Sequence, residues 1–163
     1  MLPRTDNGNF LDQFNGKVYL NHDATPQTDW IEVGESDGHP CGDEGVKDYF
    51  SEFMDNGSGG ACVEREVDLS GAGFASLSFE YRRQNVESAG DDVSVQIPTN
   101  GADGLWTELE KIAGGGTNGS DVTRNYEMTP YISDRTRVRL VSSPTMGGGD
   151  KVWFGEVEIE CQP

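Results

Sequence analysis

The chain is short of what a membrane, nucleic-acid or covalent-catalysis reading would require. No stretch approaches the run of about 20 apolar residues that spans a bilayer. The opening MLPRTDNGNF has no apolar signal-peptide core. Met1 could equally head an excised module, so that opening leaves the compartment undecided. Basic residues are few: 12 Lys+Arg against 29 Asp+Glu give a formal charge of −17. Such a field repels phosphate backbones and anionic lipid and draws cations, so neither a nucleic-acid partner nor membrane insertion is expected. Histidine is confined to His22 and His39, in the N-terminal third. G-x-S-x-G, H-E-x-x-H and the phosphate-loop motif are missing, and nothing pairs a nucleophile with a base. The three cysteines make an odd set without C-x-x-C. His22, His39, Cys41 and Cys62 do not have zinc spacing. A Cys41–Cys62 disulfide closing the intervening loop is the expectation, with Cys161 buried, free or paired outside the chain. Helical periodicity is nearly lacking as well. Only GVKDYFSEFM carries it, at Val46, Tyr49, Phe50 and Phe53, and it is short.

Glycine and two-residue alternation are what the sequence has. Its 22 glycines are well above the usual share of about 7%, and they gather in breaks such as DNGSGG, LSGAG, TNGADG, AGGGTNGSD and TMGGGD. Between the breaks, ASLSFEY puts Ala75, Leu77, Phe79 and Tyr81 on one face, and DVSVQI does the same with Val93, Val95 and Ile97. EREVDL, TRVRLV, KVYL, DWIEV and LWTELEKI supply further short strands. Many strands joined by glycine-rich turns predict an all-β fold, one antiparallel β-sandwich of jelly-roll type. Residues 1–9 read as a disordered lead-in and 10–163 as the single module, with residues 25–60 its loosest part.

The stretch VDLSGAGFASLSFEYRRQNVESAGDDVSVQI, the later DDVSVQIPTNGADGLWTEL, and NYEMTPYISDRTRVRLVSSPTMGGGDKVWFGEVEIE together resemble the bacterial MAM-like jelly-roll module of large secreted and cell-surface proteins. The likeness covers most of the chain, from Phe10 to Glu160, and rests on the ordered set of motifs. Two departures stand out: the aspartate that the family places after Phe154 is replaced by Gly155 and Glu156, and the segment HPCGDEGVKDYFSEFMDNGSGGAC is longer and more aromatic than usual. The resemblance implies a MAM/concanavalin-like sandwich that is not an enzyme. It would be exported, joined to neighbouring domains of a larger chain, and would bind a glycan or a cell-surface protein. A purely structural spacer is the alternative. Related sandwiches hold calcium near the first strand, the following loop and the last strand, which nominates Asp23, Asp29, Glu35, Asp37 and Glu156 as ligands, since hard cations take loop carboxylates and carbonyls.

Glycan stacking needs outward aromatics beside polar groups. Trp153 is the first candidate, because Val152 and Phe154 take the inward parity, followed by Tyr49 and Trp30. Trp106 reads as a core or edge-packing residue. Arg82, Arg83, Arg137 and Arg139 are expected to pair with carboxylates on adjacent strands, or to form a local basic patch. A remote alternative is a glycoside hydrolase, because Glu156, Glu158 and Glu160 stand at every second position, roughly 6.5 Å apart from a rise of about 3.3 Å per residue. That spacing falls in the range of inverting carboxylate pairs, yet any half-solvated strand shows the same alternation. Inward parity also slips in this strand, from the even Val152 and Phe154 to the odd Val157, Ile159 and Cys161. This predicts a β-bulge at Gly155.

Overall fold

The structure is a computed structural model that describes residues 62–102, 104–147 and 149–163, side chains of 100–102 apart, together with the backbone of 8–12, 31–33, 44–47 and 50–54. Among these residues eleven strands follow in chain order: β1 Gly8–Asp12, β2 Ile31–Val33, β3 Glu44–Lys47, β4 Phe50–Met54, β5 Cys62–Val67, β6 Phe74–Gln84, β7 Asp92–Ala102, β8 Trp106–Ala113, β9 Val122–Glu127, β10 Thr136–Ser142 and β11 Lys151–Gln162. A 3-10 turn, Thr129–Tyr131, separates β9 from β10.

The strands form two antiparallel sheets. The first runs β3-β4-β11-β6-β9 with β1 added beside β11, and the second runs β2-β5-β10-β7-β8. Apart from the β7–β8 hairpin, consecutive strands from β5 onward cross from one sheet to the other, as in a jelly roll. Alternation drives this arrangement. Leu77, Phe79, Val152, Phe154 and Ile159 of the first sheet and Val63, Val93, Val95, Ile97, Val138 and Leu140 of the second are all buried in one core cluster, and burial of such side chains supplies most of the favourable free energy. The sheet edges β8 and β9 meet through a polar clip. Arg124 Nε contacts Glu110 Oε1 at 3.4 Å, and the Tyr126 hydroxyl donates to Glu110 Oε2. Burial and the bond to Glu110 push the Tyr126 phenol up to about 12.

The segment with helical spacing is corrected by the structure. Residues 44–47 and 50–54 are β3 and β4, paired antiparallel, and β4 continues onto β11 through Val152↔Phe53 and Phe154↔Ser51. One short stretch of helical periodicity cannot offset the cost of starting a helix, whereas β11 offers an open ladder. Strand β1 begins at Gly8, inside the stretch read as a lead-in. The KVYL segment lies outside the described residues.

The bulge in β11 stands where parity placed it. Phe154 pairs with Tyr81 and Val157 with Phe79, so Gly155 and Glu156 together face the single residue Glu80. The bulge also divides the strand's other edge: residues 151–154 pair with β4 and residues 157–161 with β1. A second register shift lies in the β7–β8 ladder, where Val95 pairs with Glu110 and Gln96 with Glu108, leaving Leu109 as the extra residue. It moves Glu110 to the inner side, where the clip to β9 forms.

Candidate functional site

Each sheet turns one face outward, and the two outer faces differ. On the first sheet, β6 and β11 place Ser76 opposite Glu160, Ser78 opposite Glu158, and Arg82 opposite Trp153. Trp153 is half-buried, flanked by buried Val152 and Phe154, and the Lys151 ammonium lies 5.8 Å from its ring centroid. Arg82 is held by Asp121 through bonds of 2.8 and 3.0 Å. Glu156 is exposed at the bulge. Partial burial, then the charges of Glu160 and Glu156, raise the Glu158 carboxyl above its ordinary value.

The outer face of the second sheet is more densely built. One register row crosses all five strands: Ile31 pairs with Glu64, Glu64 with Arg139, Arg139 with Gln96, and Gln96 with Glu108. Neighbouring strands lie about 4.8 Å apart, so the row presents carboxylate, guanidinium, amide and carboxylate groups at nearly even intervals. Trp106, paired with Pro98 on the same ladder, stands beside the row on edge strand β8. The Arg139 guanidinium lies over the Trp106 ring with Cζ 3.8 Å from the centroid, a close cation–π stack. Its Nε and Nη2 both donate to Gln96 Oε1, at 2.8 and 2.7 Å. Ser94 Oγ donates to Glu108 Oε2 at 2.6 Å.

Other described charges of this face stand in ion pairs. Lys111 Nζ lies 2.8 Å from Asp92 Oδ2, and this hydrogen bond holds the Lys111 ammonium above its ordinary value. Arg137 contacts Glu64 at 3.6 Å and Glu66 at 3.1 Å, and Arg135 reaches Glu66 at 3.1 Å. The Arg135 hydrogen bond in particular lowers the Glu66 carboxyl. Arg139 differs from these cations: burial shifts it below the ordinary guanidinium range, and its bonded partner is the neutral Gln96. Cys62, Asp92 and Ser94 are buried, at 5–6% exposure, although they stand on the side of the sheet away from the core. A sheet face that sets half-buried Trp106 and Arg139 beside Gln96 and Glu108 can grip a flat, hydroxyl-rich ligand. The groups needed are planar donors and acceptors with an aromatic ring.

Of the nominated residues, Trp153 and Glu156 share β11 and the outer side of the first sheet. Trp30, Tyr49, Asp23, Asp29, Glu35 and Asp37 lie outside the described residues, as do His22, His39 and Cys41. Among the described residues no group of three His, Cys, Asp or Glu side chains could hold a metal ion. Cys62 and Cys161 are both buried, and no disulfide joins described residues. Arg82 and Arg137 pair with carboxylates as expected, whereas Arg83 donates to the Ala113 carbonyl at 3.0 Å and Arg139 to an amide. The alternation in DVSVQI leaves Gln96 outward, as the structure has it, but sequence reasoning missed Trp106 and Glu108 as its outward neighbours. Simple parity on LWTELEKI puts Trp106 with Ile112, which is buried, and only the register shift at Leu109 separates the two.

No family model matches the sequence, and no curated protein matches it. Solved structures do share its fold. A family 29 carbohydrate-binding module, an Asp→Ala variant complexed with mannohexaose, superposes with a TM-score of 0.57 at 13% identity, covering 95% of this chain and 92% of that one. A Lys→Ala variant of the same module complexed with cellulohexaose gives 0.52 at 13% identity, over 93% and 91%. The K2 cleaved adhesin domain of Lys-gingipain gives 0.53 at 12% identity, over 93% and 99%. At these identities the likeness establishes the β-sandwich fold.

Proposed function

We propose that the chain is a non-catalytic, extracellular binding module and that the outer face of β2-β5-β10-β7-β8 holds a glycan. The observation that carries this reading is the row Glu64, Arg139, Gln96 and Glu108 with the Trp106–Arg139 stack beside it. An extended sugar chain laid across the strands would meet one planar polar group per strand and one aromatic edge. Solved structures of the same fold that hold mannohexaose and cellulohexaose support the reading. In the range from micromolar to millimolar ligand, a carbohydrate array or affinity electrophoresis should show retention on a neutral polysaccharide. Loss of retention on Trp106→Ala, with Trp153→Ala unchanged, is the expected pattern.

A cell-surface protein is the second reading. Leu105, 84% exposed next to Trp106 at the β7–β8 turn, favours it, and so does the adhesin domain of like fold. Calcium held by Asp23, Asp29, Glu35 and Asp37 with Glu156 remains part of the proposal as a stabiliser, because hard cations take carboxylate and carbonyl oxygens and the chain is rich in acids.

A further inference from the structure

We infer that Arg139 sets the specificity of this face, and that its ligand is an uncharged sugar bearing two adjacent free hydroxyls; the inference rests on the glycan reading above. A guanidinium has five N–H donors in a fixed plane. In Arg139 the Nε side is committed, since Nε and Nη2 converge on Gln96 Oε1 at 2.8 and 2.7 Å. The indole of Trp106, 3.8 Å from Cζ, fixes the plane of the group. The end edge formed by Nη1 and the second Nη2 hydrogen makes no hydrogen bond with the described residues. Two parallel donors, already ordered and partly desolvated, therefore point away from Gln96, and their side-chain entropy is spent before a ligand arrives.

Such a fork suits two kinds of acceptor: a carboxylate, or a pair of oxygens on neighbouring ring carbons. Charge decides between them. Glu64, which Arg137 contacts at 3.6 Å, and Glu108, which accepts from Ser94 Oγ, stand in the same register row as Arg139, and the chain carries −17 overall. An anionic sugar would face carboxylates on both sides and a repulsive field at longer range. A diol meets neither, and its hydroxyl hydrogens can be given to Glu64 and Glu108 while its oxygens accept from Arg139. The same carboxylates that repel a uronate thus complete the hydrogen bonding of a neutral ring, and attraction and exclusion come from one row of residues.

The experiment is a titration of the intact chain and its Arg139→Lys variant with mannohexaose, cellulohexaose, partly O-methylated cellulohexaose and an oligogalacturonate. Arg139→Lys keeps the charge and removes the fork, and an unchanged melting midpoint shows that the variant is folded. Should it melt early, Gln96→Ala replaces it, since that change releases the fork without touching the guanidinium. The expected result is binding of at least one neutral hexaose by the unaltered chain, a loss of about tenfold or more in the variant, as befits hydrogen bonds from a charged donor, and no oligogalacturonate binding. Methylation should weaken the unaltered chain more than Arg139→Lys. Equal affinities for the two proteins, or preference for the uronate, would overturn the assignment of Arg139 while leaving the glycan reading intact. Absence of binding to all four ligands would overturn both.

Discussion

Glu158 illustrates how a single side chain on this fold feels its neighbours. It stands two residues from Glu156 and two from Glu160 on β11, and partial burial followed by these like charges raises its carboxyl above the ordinary value. A folded-state value above the unfolded one means that the folded chain holds the proton more tightly. Stability from this group is therefore full below the ordinary carboxylate value and is lost as pH rises through the raised one. Glu158→Gln should accordingly raise the melting midpoint at pH 7, with the gain fading below about pH 4 as the carboxylates protonate. Thermal scans at the two pH values check this, and an equal gain at both would contradict an electrostatic origin. Glu66 runs the opposite way. Arg135 lowers its carboxyl, so its contribution is present at neutral pH and lost on acidification, and at its exposure the effect is small.

At the scale of the element, β11 shows what one residue does to a strand. Gly155 and Glu156 together face Glu80, which lets Val152 and Phe154 before the bulge and Val157, Ile159 and Cys161 after it all reach the core. Deleting Gly155 removes the extra residue, so either the second half turns its apolar set outward or its pairing with both β1 and β6 slips by one. The expected outcome is loss of cooperative unfolding by circular dichroism, whereas a deletion variant melting within a few degrees of the parent would show that the bulge is dispensable. This bulge was legible in the sequence, because Val, Phe, Val, Ile and Cys mark both parities unambiguously. The comparable shift at Leu109 was not. Around it stand Trp106, Glu108, Glu110 and Ile112, a run in which polar and apolar residues occur on both parities, so only the ladder to β7 reveals the change of face. For the same reason β3 and β4 were hidden: their pairing depends on β11, distant in sequence, and local spacing carries no trace of it.

For the whole molecule, alternation and glycine-rich breaks were sufficient for the two-sheet fold, since inward parity on β5, β6, β7, β10 and β11 leaves one buried cluster. The candidate face was much less legible. Its row joins residues 31, 64, 139, 96 and 108, and such a row exists only after sheet order is known. An overall charge of −17 and the proposed ligands Asp23, Asp29, Glu35, Asp37 and Glu156 make calcium a whole-chain property to measure. Excess calcium should raise the melting midpoint and a chelator should reverse it, by RT ln(1 + [L]/Kd) for an ion that binds the folded state alone. An unchanged midpoint would remove calcium from the account.

The central claim is that the ligand sits on the sheet bearing Trp106 and not on the sheet bearing Trp153. The most direct measurement is the affinity of mannohexaose or cellulohexaose for the unaltered chain, Trp106→Ala and Trp153→Ala, each confirmed as folded. The account predicts binding by the first, a loss of about tenfold or more in the second, as stacked aromatic anchors commonly give, and no change in the third. Retained binding in Trp106→Ala together with loss in Trp153→Ala would contradict it and move the site to the opposite face.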